Sequence, residues 1–433
     1  MRTTAREIFQ RALEESSIER AFVRNLHYEN GVLQAGENRY ELGKFSSIFV
    51  VSFGKGAHST LEALMTRIGG GTASISGIVC APTLPKTPVA GFRYFEGGHP
   101  MPNQESMRAA EAILRALESL DERALVIYLI SGGGSAIVEK PISDAITFED
   151  LVQTYRALVH SGAPIALINA VRKHISAVKG GRMAMAASPA QQLSIMISDV
   201  PDNALDSLAS GATMPDTSTV AQCYEIVEKY NLLPQLPPSV RELFEAGLKE
   251  TPKAGDPIFE HARWWPILSN VSARDAAVKL ATEKGFTVEV DNTCDDWDYR
   301  KAGDYLLERV RELRKKAARV CLISGGEITV KVDAAKPGVG GRNVQIALYW
   351  AERIQGENIA VLSAGTDGID GNSPAAGSVA DGTTMARAAQ KGLSAEAALN
   401  GFDAYPFFDA LGDTIMTGYT GTNVRDVRVL LAW

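Results

Sequence analysis

Four apolar runs in this chain each end in a glycine turn that carries polar or charged groups. Residues 47–51 run into Ser52-Phe53-Gly54-Lys55-Gly56, and residues 125–130 run into Ser131-Gly132-Gly133-Gly134-Ser135. Residues 320–323 run into Ser324-Gly325-Gly326-Glu327, and residues 359–362 into Ser363-Ala364-Gly365-Thr366-Asp367-Gly368. A short run rich in β-branched residues reads as a strand buried on both faces. A glycine exit lets successive backbone N–H groups converge on an anion. The pattern predicts an enzyme that grips phosphate at the carboxyl edge of its sheets.

The turns differ in what they offer. Gly54 and Gly56 let backbone approach a phosphate, and Lys55 adds a point charge. The stretch is no P-loop, and Ser59 stands where a dinucleotide turn has its third glycine. No acid occurs between Glu62 and Glu96 to meet a ribose, which disfavours NAD. Three consecutive glycines, Gly132, Gly133 and Gly134, are costly to order and make sense where a ligand touches the main chain.

Other positions point the same way. Residues 169–179 read as a helix stopped by Gly180-Gly181, with Ile168, Val171, Ile175 and Val178 facing the core and Asn169, Arg172, Lys173 and Ser176 on another side. Between Asp150 and Asp199 the chain holds no acidic residue, which leaves that basic face free for an anion. Asp199, Glu327 and Asp367 close strands, where magnesium ligands and bases sit in phosphoryl transfer. Arg342, in Gly340-Gly341-Arg342-Asn343, suits a phosphate bidentately. A polar glycine loop over residues 417–423 ends at Asn423 and suits a second anionic group.

The elements that must hold these residues follow the rhythm of an α/β protein. A docking helix spans residues 4–19, strands 75–81 and 193–197, and a helix 109–120. Prolines cluster over residues 232–259, and the length of 433 residues suits two domains, taken as 1–240 and 241–433. The second holds a strand at 328–332, a helix at 343–355 and late strands at 414–417 and 427–431 that pair antiparallel, making its sheet mixed. The composition, 45% hydrophobic and 22% charged, is that of a globular core. A net charge of −7 argues against nucleic acid as partner. No run reaches the length of a membrane span. Four scattered cysteines without CxxC spacing fit a reducing cytoplasm.

Taken in order, the blocks at 131–135, 169–183, 198–216, 340–343, 364–381 and 417–426 resemble the class II glycerate kinases, the glycerate 2-kinases with a C-terminal MOFRL region. The resemblance covers nearly the whole chain. It implies two three-layer α/β domains, the first Rossmann-like with a parallel sheet and the second with a mixed sheet, and an active site in the cleft between. It also implies ATP, magnesium and transfer of the γ-phosphoryl group to the C2 hydroxyl of D-glycerate, giving 2-phospho-D-glycerate. The family's lysine falls on Lys55, its GGRN arginine on Arg342, its acids on Asp199, Glu327 and Asp367, and its late asparagine on Asn423. Some blocks depart from the pattern, among them Ser210-Gly211-Ala212-Thr213 and Thr417-Gly418-Tyr419-Thr420. These changes leave open a related hydroxy acid as substrate. Hydroxypyruvate reduction with NAD(P)H is the alternative activity, and oligomeric state stays open.

Overall fold

The computed structural model describes residues 1–69, 75–201, 203–332 and 336–433. The chain forms two compact units, Phe22–Ile267 and a second made of Met1–Ala21 with Leu268–Trp433.

The unit Phe22–Ile267 begins with a three-stranded antiparallel meander, β1 (Leu26–Glu29), β2 (Val32–Ala35) and β3 (Asn38–Glu41). Its main sheet comprises β4 (Ser47–Phe53), β5 (Ile75–Ala81), β6 (Phe92–Glu96), β7 (Ala124–Ile130), β8 (Gln191–Ile197) and β9 (Ala262–Leu268), in the order β6-β5-β4-β7-β8-β9. The pairs β6-β5, β5-β4, β4-β7 and β7-β8 are parallel. Every residue of β7 is buried, as a central strand covered on both faces requires. Strand order reverses between β4 and β7, so their carboxyl ends open at a topological switch point. Phe53 pairs with Ile130, which sets Gly54 beside Ser131.

The other unit carries β10 (Thr287–Val290), β11 (Val320–Gly325), β12 (Ile359–Gly365), β13 (Gly377–Asp381), β14 (Thr414–Ile415) and β15 (Asp426–Ala432), ordered β10-β11-β15-β12-β13-β14. Only β10-β11 is parallel; β15 runs antiparallel to both β11 and β12, which makes the sheet mixed as expected. Gly325 pairs with Val427 and Gly365 with Asp426. The start of β15 therefore lies between the glycine exits of β11 and β12.

Several boundaries differ from the sequence expectation. The division falls at 267/268 rather than 240/241, because β9 is the edge strand of the parallel sheet. The opening helix ends at Glu15 and belongs with the C-terminal segment, burying Ala5, Ile8, Phe9 and Ala12. A separate helix, Ile18–Asn25, follows. The basic helix spans Ile165–His174 and stops before Gly180; Ser176 instead bridges to Pro141. Residues 328–332 form no strand, only a bridge from Thr329 to Asp298. No helix among the described residues is long and apolar enough to cross a membrane.

Candidate functional site

In the unit Phe22–Ile267 the exits of β4 and β7 are bonded into one body. The N–H of Lys55 donates to Gly132 O at 2.8 Å, and Ser131 N donates to Phe53 O at 3.1 Å. The N–H of Gly56 donates to Ser131 Oγ at 2.9 Å. Gly54 has φ +116°, and a Cβ there would fall 2.4 Å from Ser131 O, so only glycine closes this turn. Among the described residues, the N–H groups of Gly132, Gly133 and Gly134 have no acceptor. Three successive free donors are what an anion-binding turn needs.

Charged groups converge on the same turn. A Cβ on Gly132 would lie 1.9 Å from Asp199 Oδ2, so the carboxylate rests against that glycine. A Cβ on Gly133 would lie 3.2 Å from Lys55 Cγ and 2.9 Å from His99 Cδ2. Lys55, Asp199 and the residues from Ser131 to Ser135 thus share one place, as expected. His99, which was not among the expected site residues, joins them. Partial burial, and then the charge of Lys55, push its imidazole below the ordinary histidine range, which favours the neutral ring. The sequence signal for His99 is the block His99-Pro100-Met101-Pro102-Asn103, in which the histidine carries no assigned role.

The basic helix behaves differently from expectation. Lys173 is buried and its Nζ bonds Asp216 Oδ1 at 2.9 Å, with Asp206 at 3.8 Å. Burial opposes the charge on Asp216, but Lys173 and Ser218 outweigh it and hold the carboxyl below its usual range. Arg172 lies 3.8 Å over the ring of Tyr155, a cation–π contact. Asn169, half-buried, sits on the same helix. The missing counter-charges come from outside the acid-free window, Asp216 for Lys173 and Glu139 for Lys179.

In the other unit the helix Arg342–Arg353 starts at the exits of β11 and β12. Arg342 grips Asp426 through Nε at 2.6 Å and Nη2 at 3.1 Å, and Nη2 also meets Glu327 at 2.7 Å. Burial works against this guanidinium's charge; Asp426 and then Glu327 and Asp370 outweigh it and hold its pKa above the ordinary value. Asp370 accepts from the N–H of Asn343 at 3.1 Å and of Val344 at 2.8 Å, capping the helix. Burial pushes the Asp370 carboxyl up to about 7 despite those two donors.

Arg342, Asp367, Asp370 and Asn372 line a cavity of about 600 Å³. A Cβ on Gly365 would lie 3.0 Å from Asp367 Oδ1 and 3.3 Å from Asp426 Oδ1, so both carboxylates reach the same exit. Asp426 is fully buried and was not among the expected residues. Its place follows from antiparallel register, which a sequence does not display. Asn423 accepts from Arg425 N at 2.9 Å and so turns its own loop. Arg425 in turn bonds Asp295 at 2.7 and 2.6 Å.

Among the described residues, no group of three histidines, cysteines or acids could hold a metal by protein ligands alone. Magnesium bound with a nucleotide takes one or two carboxylates and completes its shell with phosphate and water oxygens. Asp199 and Asp367, each at a strand exit, are of that kind. Glu327 already answers Arg342.

Comparison with known proteins gives the same direction. The domain of unknown function DUF4147 matches residues 4–245, and the MOFRL family matches residues 320–426. A D-glycerate 2-kinase of Thermotoga maritima is 37% identical over 351 residues, 79% of this chain and 80% of that protein. A protein of Agrobacterium vitis, named provisionally a hydroxypyruvate reductase, is 35% identical over 88% of this chain and 86% of its own. A crystal structure of glycerate kinase from Thermotoga maritima superposes with a TM-score of 0.86 at 32% identity, covering 100% of this chain and 99% of that one. The chain belongs to the DUF4147/MOFRL glycerate kinase family.

Proposed function

We propose that the protein is an ATP-dependent kinase that phosphorylates the C2 hydroxyl of D-glycerate to 2-phospho-D-glycerate. One observation carries this reading. At the switch point of the parallel sheet, Lys55, three free backbone donors and the Asp199 carboxylate meet on one turn. Transfer of a phosphoryl group asks for cations and fixed dipoles around its oxygens and a carboxylate near the attacking hydroxyl. The names of the Thermotoga maritima and Pyrococcus horikoshii relatives, D-glycerate 2-kinase and glycerate 2-kinase, support the choice of substrate and product.

In the proposed reaction the C2 oxygen of glycerate forms a bond to the γ-phosphorus of ATP. The bond from that phosphorus to the β,γ-bridging oxygen breaks, and ADP leaves with the oxygen. Asp199 or Asp367 accepts the hydroxyl proton. The N–H groups of Gly132, Gly133 and Gly134 hold phosphate oxygens, Lys55 neutralises charge there, and Arg172 and Asn169 help to bind the anionic partners. Arg342 presents the part of its guanidinium that Asp426 and Glu327 leave uncovered. Magnesium, held by Asp199 or Asp367 with phosphate oxygens, would offset charge on the triphosphate. All four cysteines are free and buried, as suits a reducing cytoplasm.

The test is ADP release measured over D- and L-glycerate, tartrate, threonate and erythronate, with the phosphate located on the product by NMR. Turnover of four-carbon acids alone would move the substrate assignment to a related hydroxy acid. The Agrobacterium vitis name raises hydroxypyruvate reduction as the rival. The end of β5, Val79-Cys80-Ala81-Pro82, offers no acid for a dinucleotide ribose. NADH oxidation by hydroxypyruvate in the absence of ATP would decide for the rival.

A further inference from the structure

A charged pair lies wholly inside the unit Phe22–Ile267. Lys179 is 1% exposed and Glu139 is 0% exposed, and the two are directly ion-paired. Glu139 also accepts from Ser176 Oγ at 2.6 Å, from Lys140 N at 2.9 Å and from the Tyr155 hydroxyl. The same Lys179 Nζ donates to the carbonyl of Ser135 at 2.7 Å. Ser135 closes the glycine turn, and its Oγ lies 2.8 Å from Ser210 Oγ. The final residue of the turn is therefore held by its carbonyl on one side and its hydroxyl on the other.

The second anchor is itself built at a cost. Ala209, Ser210 and Gly211 take φ values of +49°, +56° and +62°, two of them on residues with side chains. Such left-handed non-glycine residues cluster where function fixes the backbone. The backbone just after Lys179 keeps them there, with Gly180 N donating to Ser210 O at 3.0 Å and Gly181 N to Gly211 O at 2.8 Å.

Stability alone gives a weak reason for this arrangement. Two apolar residues of similar volume usually replace a buried ion pair without loss. What an apolar pair lacks is a donor for the Ser135 carbonyl. We infer that Lys179 is a positioning residue, which, with Glu139 as its buried counter-ion, fixes Ser135 and thereby aims the N–H groups of Gly132, Gly133 and Gly134 at the phosphate. The inference rests on the kinase reading above and adds residues that touch no substrate.

Three variants of the full chain test it by thermal melting and by steady-state phosphorylation of D-glycerate. Lys179→Met leaves the Glu139 carboxylate stranded and is expected to melt early. Lys179→Met combined with Glu139→Gln, which removes the stranded charge but keeps an oxygen for Ser176, Lys140 N and Tyr155, is expected to recover most of the melting temperature while kcat stays about 100-fold below the unsubstituted protein and KM for ATP rises. Ser210→Ala, with the ion pair intact, is expected to lower kcat about tenfold without changing the melting temperature. A double variant that melts normally and turns over within about twofold of the unsubstituted protein overturns the inference. If the double variant does not fold, unchanged kcat and KM in Ser210→Ala overturn it. Absence of ATP-dependent phosphorylation in the unsubstituted protein would instead overturn the functional reading.

Discussion

Arg342 and Asp426 meet through two parallel bonds of 2.6 and 3.1 Å, although one opens a helix and the other opens a strand more than eighty positions later. The antiparallel insertion of β15 between β11 and β12 brings them together. The pair fixes the direction in which the guanidinium can face an anion.

Replacing Asp426 with Ala is expected to damage both folding and turnover. A buried pair broken on one side costs about 3–5 kcal/mol; with the Arg342 side chain 34% exposed, about 2 kcal/mol is the better expectation. Turnover should fall about 100-fold as Arg342 loses its aim. Urea unfolding and ADP release on the same preparation check the two halves separately.

Lys55 gives the opposite combination. It is exposed, so Lys55→Ala should shift stability by no more than about 0.5 kcal/mol. The same change removes the cation at the glycine turn, and kcat is expected to fall about 10²- to 10³-fold. A variant that keeps full activity would remove Lys55 from the reaction.

Two glycines on neighbouring turns should separate structure from chemistry. A Cβ at position 132 meets the end of a side chain, the Asp199 carboxylate at 1.9 Å, which can swing aside. Gly132→Ala should therefore fold with a loss of about 1–2 kcal/mol yet lose most activity. A Cβ at position 54 meets backbone, Ser131 O at 2.4 Å, at a φ of +116°. Gly54→Ala should cost more than about 2 kcal/mol. Melting temperatures of the two variants, read side by side, test the distinction.

Asp370 makes stability depend on pH in a definite sense. Its carboxyl rises from an ordinary 3.8 to about 7 in the folded protein, with burial the main cause. Between those values the folded state keeps a proton that the unfolded chain has released. Stability from this group is therefore full below about pH 4 and falls as pH rises to about 7. Asp370→Asn cannot titrate. The stability of the unsubstituted protein minus that of this variant should decrease as pH rises through that window, as urea unfolding at pH 4.5, 6 and 8 would show. A signed difference that increases with pH would contradict the assigned protonation.

The parts of the molecule legible in the sequence are those with local causes. The apolar runs at β4, β7, β11 and β12 and their glycine exits lie where periodicity puts them. The meander β1–β3 escaped notice because its strands have four residues each, too short for an alternation to stand out. The site was legible where a residue and its role sit on one turn, as with Lys55. It was obscured where partners come from far along the chain. Lys173 looked uncompensated in its own segment, yet Asp216 neutralises it. Asp426 and His99 reach their places only through sheet register and loop packing.

The helix Arg2–Glu15 is made long before the residues that seat it. Its apolar side, Ala5, Ile8, Phe9 and Ala12, belongs with Leu268–Trp433, which is synthesised later. While the ribosome produces the intervening residues, that greasy stripe has no native cover. A nascent chain stalled near position 267 should present it to chaperones, and synthesis of Leu268–Trp433 should end the exposure.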